Sequence, residues 1–186
     1  MNLKSYQEYL NTRSHLALIY RNYFLYPKIE KNLIYPCIDI GCGIGDFLKF
    51  SKKTIYGVDI NSDLISQCAK AGLDVGLIYD DKIPSNDSVY NSAILDNVLE
   101  HISEPDFTLK ETYRILNENA RLIIGVPGIK GYTLDIDHKI YYDDKNIIPL
   151  LQKFHFSFEK KIVMPIPLNF LTKVLKIYCN YYVFQK

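Results

Sequence analysis

The stretch Cys37-Ile38-Asp39-Ile40-Gly41-Cys42-Gly43-Ile44-Gly45-Asp46-Phe47-Leu48 leaves the chain few ways to fold. It opens as a short apolar strand, passes through three glycines at alternating positions, and ends as the first turn of a helix. A strand that turns sharply into a helix needs residues that tolerate positive φ and allow close backbone approach. The first N–H groups of that helix face whatever lies beyond the strand tip, with partial positive charge behind them. Such a corner suits a nucleotide-type ligand, although a tight turn without a ligand would use the same residues.

Three details narrow the ligand. The spacing is G-x-G-x-G, and Asp46 stands where the third glycine of a dinucleotide fingerprint would be. Asp39 lies two residues before Gly41, where a carboxylate would repel a pyrophosphate but suit an ammonium or sulfonium. The run Ile55-Tyr56-Gly57-Val58-Asp59 reads as a second strand ending in an acid, 18 residues after Gly41. An acid at that tip can accept hydrogen bonds from both hydroxyls of a ribose. A ribose and a cationic amino-acid tail describe S-adenosylmethionine.

The segment from about Pro36 to Gly128 resembles a class I S-adenosylmethionine-dependent methyltransferase of the small-molecule type. The resemblance rests on DIGCGIGDFL, on YGVDIN, and on Asn91-Ser92-Ala93-Ile94-Leu95-Asp96-Asn97-Val98-Leu99-Glu100-His101. The helix Leu109 to Leu116 and the strand Arg121 to Pro127 follow in the family's order. It implies a Rossmann-like, mostly parallel seven-stranded sheet with helices on both faces and a reversed last strand. The Lys-Pro-Gly-Gly turn usual before the fifth strand is replaced by Asn117-Glu118-Asn119-Ala120, where asparagine can supply the left-handed conformation.

Composition is consistent with one soluble domain. A chain of 186 residues buries about 70% of its unfolded surface. Hydrophobic residues make up 48% and charged residues 23%, and the net charge of +1 gives no electrostatic case for nucleic acid or an anionic membrane. Cys37, Cys42, Cys68 and Cys179 lack metal or redox spacing, so reduced thiols in the cytoplasm are expected. Lys4, Glu8 and Arg13 interrupt any apolar leader, and no run approaches a membrane span. The oligomeric state is not legible.

Along the chain, residues 1–33 are expected to form a helical cap, 34–128 the cofactor-binding half and 129–186 a substrate-side part. Apolar residues from Tyr6 to Tyr23 recur at helical spacing, as a cover for the sheet edge or a flap over the substrate side. Strands are expected at Pro36–Ile40, Thr54–Val58, Val75–Tyr79, Tyr90–Leu95 and Arg121–Val126. Helices are expected at Asp46–Lys52, Asp63–Ala71 (capped by Asn61 or Ser62 and closed by Gly72) and Asp106–Leu116. Strands and helices alternating in this way imply a parallel sheet with right-handed crossovers. Residues Gly128–Tyr142 read as a loop, Asp143–Phe154 as a helix kinked or delayed by Pro149, and His155–Met164 and Tyr178–Gln185 as strands. Pro167–Ile177 reads as a helix or an irregular connection.

The resemblance assigns roles by position. Gly41, Gly43 and Gly45, with Cys42, would let the methionine moiety approach the backbone, and Asp39 would hold its ammonium. Asp59, beside Ile60, would take the ribose. Asp80 or Asp81 would accept from the adenine amino group, and Ile83 would offer an apolar contact; the chain is one residue short here, so the two aspartates are not distinguished. Asp96 and Asn97 would face the sulfonium. Some quinone-pathway relatives bind a divalent cation through Glu-x-x-Glu-His at this place. Here Asn97 replaces the first Glu, which weakens a hard-cation site, and no metal is expected.

His138, Asp137 and His101 are the candidate acid–base groups. Asp135, Asp137, His138, Tyr141 and Tyr142 form a dense polar cluster after the fifth strand, and a carboxylate can orient an imidazole for proton removal. The expected reaction is methyl transfer to an oxygen or nitrogen of a small-molecule or glycan acceptor, including sugars of surface polysaccharides. Two rivals remain at this point. A nicotinamide-dependent oxidoreductase is disfavoured by Asp39 and Asp46 and would show bound-nicotinamide fluorescence. A non-catalytic cofactor-binding or scaffold subunit would show no methyl turnover.

Overall fold

The period-two alternation of buried residues fixes how the sheet sits between its helices. In β1 (Cys37–Ile40), all four residues are buried, as a central parallel strand requires. Ile38 and Ile40 pack into one apolar cluster, and Cys37 packs into another on the opposite face. The same split separates Leu122 and Ile124 from Ile123, and Tyr182 and Phe184 from Tyr181 and Val183.

The computed structural model describes residues 15–165 and 178–186. Before the sheet come α1 (His15–Tyr20), a π-helical turn (Arg21–Leu25) and α2 (Tyr26–Glu30). After β1 follow α3 (Asp46–Phe50), β2 (Ile55–Asp59), α4 (Ser62–Lys70), β3 (Val75–Leu77) and β4 (Tyr90–Asp96). A 3₁₀ turn (Leu99–His101) leads to α5 (Asp106–Ile115) and β5 (Leu116–Pro127). The chain continues through α6 (Ile129–Leu134), α7 (Asp144–Lys153), β6 (Ser157–Met164) and β7 (Cys179–Gln185). The seven strands are ordered β3-β2-β1-β4-β5-β7-β6. The first five are parallel, and β7 runs antiparallel to both β5 and β6. Strand order reverses between β1 and β4, and open sheets of this kind bind ligands beyond the carboxyl ends at such a switch point. Leu109 and Ile115 of α5 and Ile147 and Leu151 of α7 cover one face; Tyr26 and Ile29 of α2 and Phe47 and Leu48 of α3 cover the other.

Local chemistry explains where the elements stop. Asn61 caps α4 by accepting from the N–H groups of Asp63 at 3.0 Å and Leu64 at 3.3 Å. Gly72 follows the helix at φ 78°. β3 ends at Leu77, short of the expected Tyr79, because Asp80 and Asp81 both take left-handed conformations and turn the chain back into a Tyr79–Lys82 bridge. β5 begins earlier than expected, with Asn119 at φ 63°, so the asparagine-rich turn survives inside the strand. α7 is not delayed by Pro149, because Asp143 forms a reciprocal capping box with Asn146 that starts the helix at Asp144. The expected loop after Gly128 instead contains α6, which buries none of its residues and so leaves no apolar periodicity in the sequence. The expectations for residues before His15 and for 166–177 lie outside the described residues.

Asn61→Ala removes the α4 cap and leaves two N–H groups without it. The expected loss is about 0.5–2 kcal/mol, read as a lower denaturant midpoint at unchanged slope. An unchanged midpoint would show that the cap carries no stability.

Candidate active site

Register and pleat bring three carboxylates to one place. Asp39 pairs with Gly57 of β2 and with Ile94 of β4, so Asp59 and Asp96 stand two residues further along the flanking strands on the same face. Asp39 and Asp59 are buried, and Asp96 is partly so. Burial pushes the Asp39 carboxyl well above the usual carboxylate range, the Asp96 and Asp59 charges add to this, and Arg21 opposes it. Burial also raises Asp59, against the backbone donors it accepts. Those donors include Gly43 N–H at 2.9 Å and Asn61 N–H at 2.8 Å, so Asp59 ties the glycine turn to the end of β2. The turn is built as the sequence requires: Gly41, Gly43 and Gly45 have φ of 79°, 55° and 73°.

Asp96 sits at the centre of a polar network. Its Oδ1 accepts from Tyr181 Oη at 2.6 Å and from Asn97 Nδ2 at 2.8 Å, and its Oδ2 meets Arg21 Nη1 at 3.0 Å. Arg21 also donates to Tyr26 Oη at 3.2 Å. Asn97 is left-handed at φ 57° and donates its N–H to Gly125 O. At the β2–β3 end, Ile60 is 70% exposed beside Asp59, while Asp80 and Asp81 are both exposed in the turn after β3. Ile83 is 2% exposed and belongs to the core, so Ile60 rather than Ile83 presents apolar surface there. Cys42 is buried behind the glycine turn.

A second cluster follows β4. Glu100 is fully buried, and both its carboxylate oxygens lack a hydrogen-bond partner. Burial, reinforced by the Asp96 and Asp135 charges, pushes its carboxyl up to about 8. His138 Nε2 lies 3.9 Å from Glu100 Oε1 and 3.9 Å from Asp135 Oδ2, beyond hydrogen-bond range but within strong electrostatic reach. The His138 and His101 rings are 4.7 Å apart between centroids, and burial followed by the His138 charge pushes the His101 imidazole down. His138 Nδ1 is 2.9 Å from Tyr132 O. A carbonyl only accepts, so Nδ1 carries the proton and the neutral ring keeps its lone pair on Nε2. Tyr132 stacks on His138 at 5.3 Å, with Tyr141 against its edge. Of the two aspartates beside His138, Asp135 brings its carboxylate close, whereas Asp137 joins through a backbone bond to His101. Glu100, His101 and His138 also bring one potential ligand atom each within 4.8 Å of one another, close enough to hold a cation.

Residues 38–124 match the family model described as a methyltransferase domain. That stretch takes in the glycine turn, Asp59 and Asp96, and its likeness is to that family. The domain aligns at TM-score 0.68 and 21% identity with a SAM-dependent methyltransferase of Methanosarcina mazei, over 88% of this chain and 98% of that one. It aligns at 0.69 and 18% identity with a SAM-dependent methyltransferase of Aquifex aeolicus, over 97% of each chain. An uncharacterized protein of Methanocaldococcus jannaschii is 30% identical over 90 residues, which are 48% of this chain and 43% of that protein. The chain spans less than half the length of the curated relatives it matches. Among the described residues, no helix is long and apolar enough to cross a membrane.

Sequence reasoning missed Arg21, Tyr26 and Tyr181 around Asp96, and Tyr132 at His138. None stands in a motif. Glu100 and His138 were each visible, but 38 positions separate them and nothing in the sequence joins them.

Glu100 gives a pH signature. Unfolded, its carboxyl titrates near 4.5; folded, near 8. Below the lower value the group is neutral in both states. As pH rises from there towards 8 the unfolded chain loses its proton first, so stability falls through that window. Glu100→Gln removes this contribution. Its melting temperature should fall less than the wild-type value between pH 5 and pH 8.5, and parallel curves would show that Glu100 does not titrate late.

Proposed function

We propose that this protein transfers the methyl group of S-adenosylmethionine to an oxygen or nitrogen of a small-molecule or sugar-like acceptor. The observation carrying this reading is the pairing of an acid-rich strand-tip face with the Glu100–His101–His138 cluster that follows the same strand β4. The tip suits the cofactor by its charges. Among the described residues, Asp39, Asp59 and Asp96 exceed the guanidinium of Arg21 that meets Asp96, which favours a ligand bearing ammonium and sulfonium. Asp59 still has lone pairs for ribose hydroxyls beside its backbone donors Gly43, Ile60 and Asn61. Ile60, with Asp80 or Asp81, faces the adenine; Gly41, Cys42, Gly43 and Gly45 back the methionine chain; Asp96 and Asn97 border the sulfonium. In this reading 34–128 is the cofactor half, 129–186 the acceptor side, and the four free thiols suit the cytoplasm.

When bound, S-adenosylmethionine supplies a methyl group activated by the sulfonium. The protein's task is then alignment, exclusion of water and handling of one proton. His138 removes the acceptor's proton through Nε2 while Tyr132 O holds Nδ1–H, and Asp135 stabilises the imidazolium. His101 packs against that ring and Asp137 positions His101.

Asp59→Ala should weaken S-adenosylhomocysteine binding by about 1.5–3 kcal/mol in calorimetry, the range for charge-assisted hydrogen bonds. Unchanged affinity would remove Asp59 from the ribose. His138→Ala should lower turnover about 10²–10⁴-fold with product affinity unchanged, and the rate profile should lose its acidic limb. Turnover should survive a chelator. Loss with EDTA and rescue by a divalent ion would reassign Glu100, His101 and His138 as cation ligands.

A further inference from the structure

Arg21 holds no part of the cofactor in the reading above, yet its guanidinium stands at the strand-tip carboxylates. It begins the π-helical turn between α1 and α2, and its guanidinium stands against Asp96 at 3.0 Å and Tyr26 Oη at 3.2 Å. Its charge reaches Asp39, the buried acid at the tip of β1. Turns of this kind re-aim side chains and recur at functional sites.

We propose that Arg21 anchors the α-carboxylate of the cofactor's amino-acid end, so that the segment preceding the sheet forms one wall of the cofactor cleft. The proposal rests on the S-adenosylmethionine reading. The amino-acid end of that cofactor is a zwitterion, with an ammonium and a carboxylate on one carbon. Three aspartates at the strand tips favour the ammonium and repel the carboxylate. A fixed cation beside them resolves the conflict, and among the described residues Arg21 meets these acids. Its planar head carries five donors suited to a forked carboxylate contact. Both described hydrogen bonds leave from Nη1, so the Nε and Nη2 donors remain for a carboxylate. The anchor is pre-organised. Asp96 holds Arg21, while Tyr181 Oη and Asn97 Nδ2 hold Asp96. The competing account makes the Arg21–Asp96 pair only a clamp that docks the N-terminal segment on the sheet. A clamp gives no reason to distinguish ligands by their carboxylate.

The test uses the full chain and two ligands that share adenosine and a thioether. S-adenosylhomocysteine has the amino-acid end, and 5′-methylthioadenosine lacks it. Arg21→Met should weaken S-adenosylhomocysteine about 10–100-fold and leave methylthioadenosine unchanged, with Arg21→Lys between Met and wild type. Equal weakening of both ligands, or of neither, overturns the proposal. Should Arg21→Met lose its melting transition, the wild-type protein decides: S-adenosylhomocysteine must bind about 10–100-fold more tightly than its decarboxylated analogue, which keeps the amine. Equal affinities overturn the anchor. Binding of neither adenosine ligand by the wild type would instead remove the cofactor reading beneath it.

Discussion

Bringing Asp59, Asp39 and Asp96 to neighbouring strand tips costs free energy, because like charges in a poorly solvated place oppose ionisation. The fold offsets this cost unevenly. Asp59 receives the N–H groups of Gly43 and Asn61, and Asp96 receives Tyr181, Asn97 and Arg21. Each offset ties a different part of the chain to the tip. Gly43 fixes the glycine turn, Asn61 the start of α4, Tyr181 the reversed strand β7, and Arg21 the N-terminal segment. Asp39 bears the largest remaining penalty, with its carboxyl pushed far up. A cationic ligand relieves that penalty, so structural tension and ligand preference share one cause.

Local signals carried the central half of the fold. Gly41, Gly43 and Gly45 predicted their left-handed turn because few other residues tolerate it, and the short apolar runs of β1 and β4 predicted strands of a parallel sheet. Asn61 and Gly72 announced the two ends of α4. The first-strand and second-strand acids were legible for the same reason, since each ends a run of apolar residues. The distant partners of Asp96 were not. Arg21 reaches Asp96 across 75 positions and Tyr181 reaches it across 85, and neither contact leaves a local pattern. Tyr181 reads simply as one residue of an apolar strand, although pairing against β5 sets it beside Gly125, where an added Cβ would strike its ring. α6 was missed because a six-residue helix with no buried residue leaves no apolar periodicity to read. Ile83 looked like a ligand contact by spacing, but its N–H is taken by Glu111 and its side chain fills the core.

The position of Glu100 shows how one turn joins the two halves of the site. Left-handed Asn97 ends β4 and directs the chain into the 3₁₀ turn, which places Glu100 beneath the strand tip. Its backbone carbonyl then accepts the N–H groups of Lys139 at 2.7 Å and Ile140 at 3.2 Å. Those two bonds dock the segment carrying His138 against the residue whose carboxylate His138 faces. An unpaired buried carboxyl is a costly element to keep in a core, and glutamine or leucine would fill the space at lower electrostatic cost. A proton-holding group beside an imidazole with a fixed tautomer gives that cost a use. The same short stretch, Asp96 to His101, therefore meets Arg21 on one side and His138 on the other. In the proposed reading, cofactor contacts at Asp96 and acceptor contacts at His138 would be separated by this one turn, as an in-line transfer between two bound molecules requires.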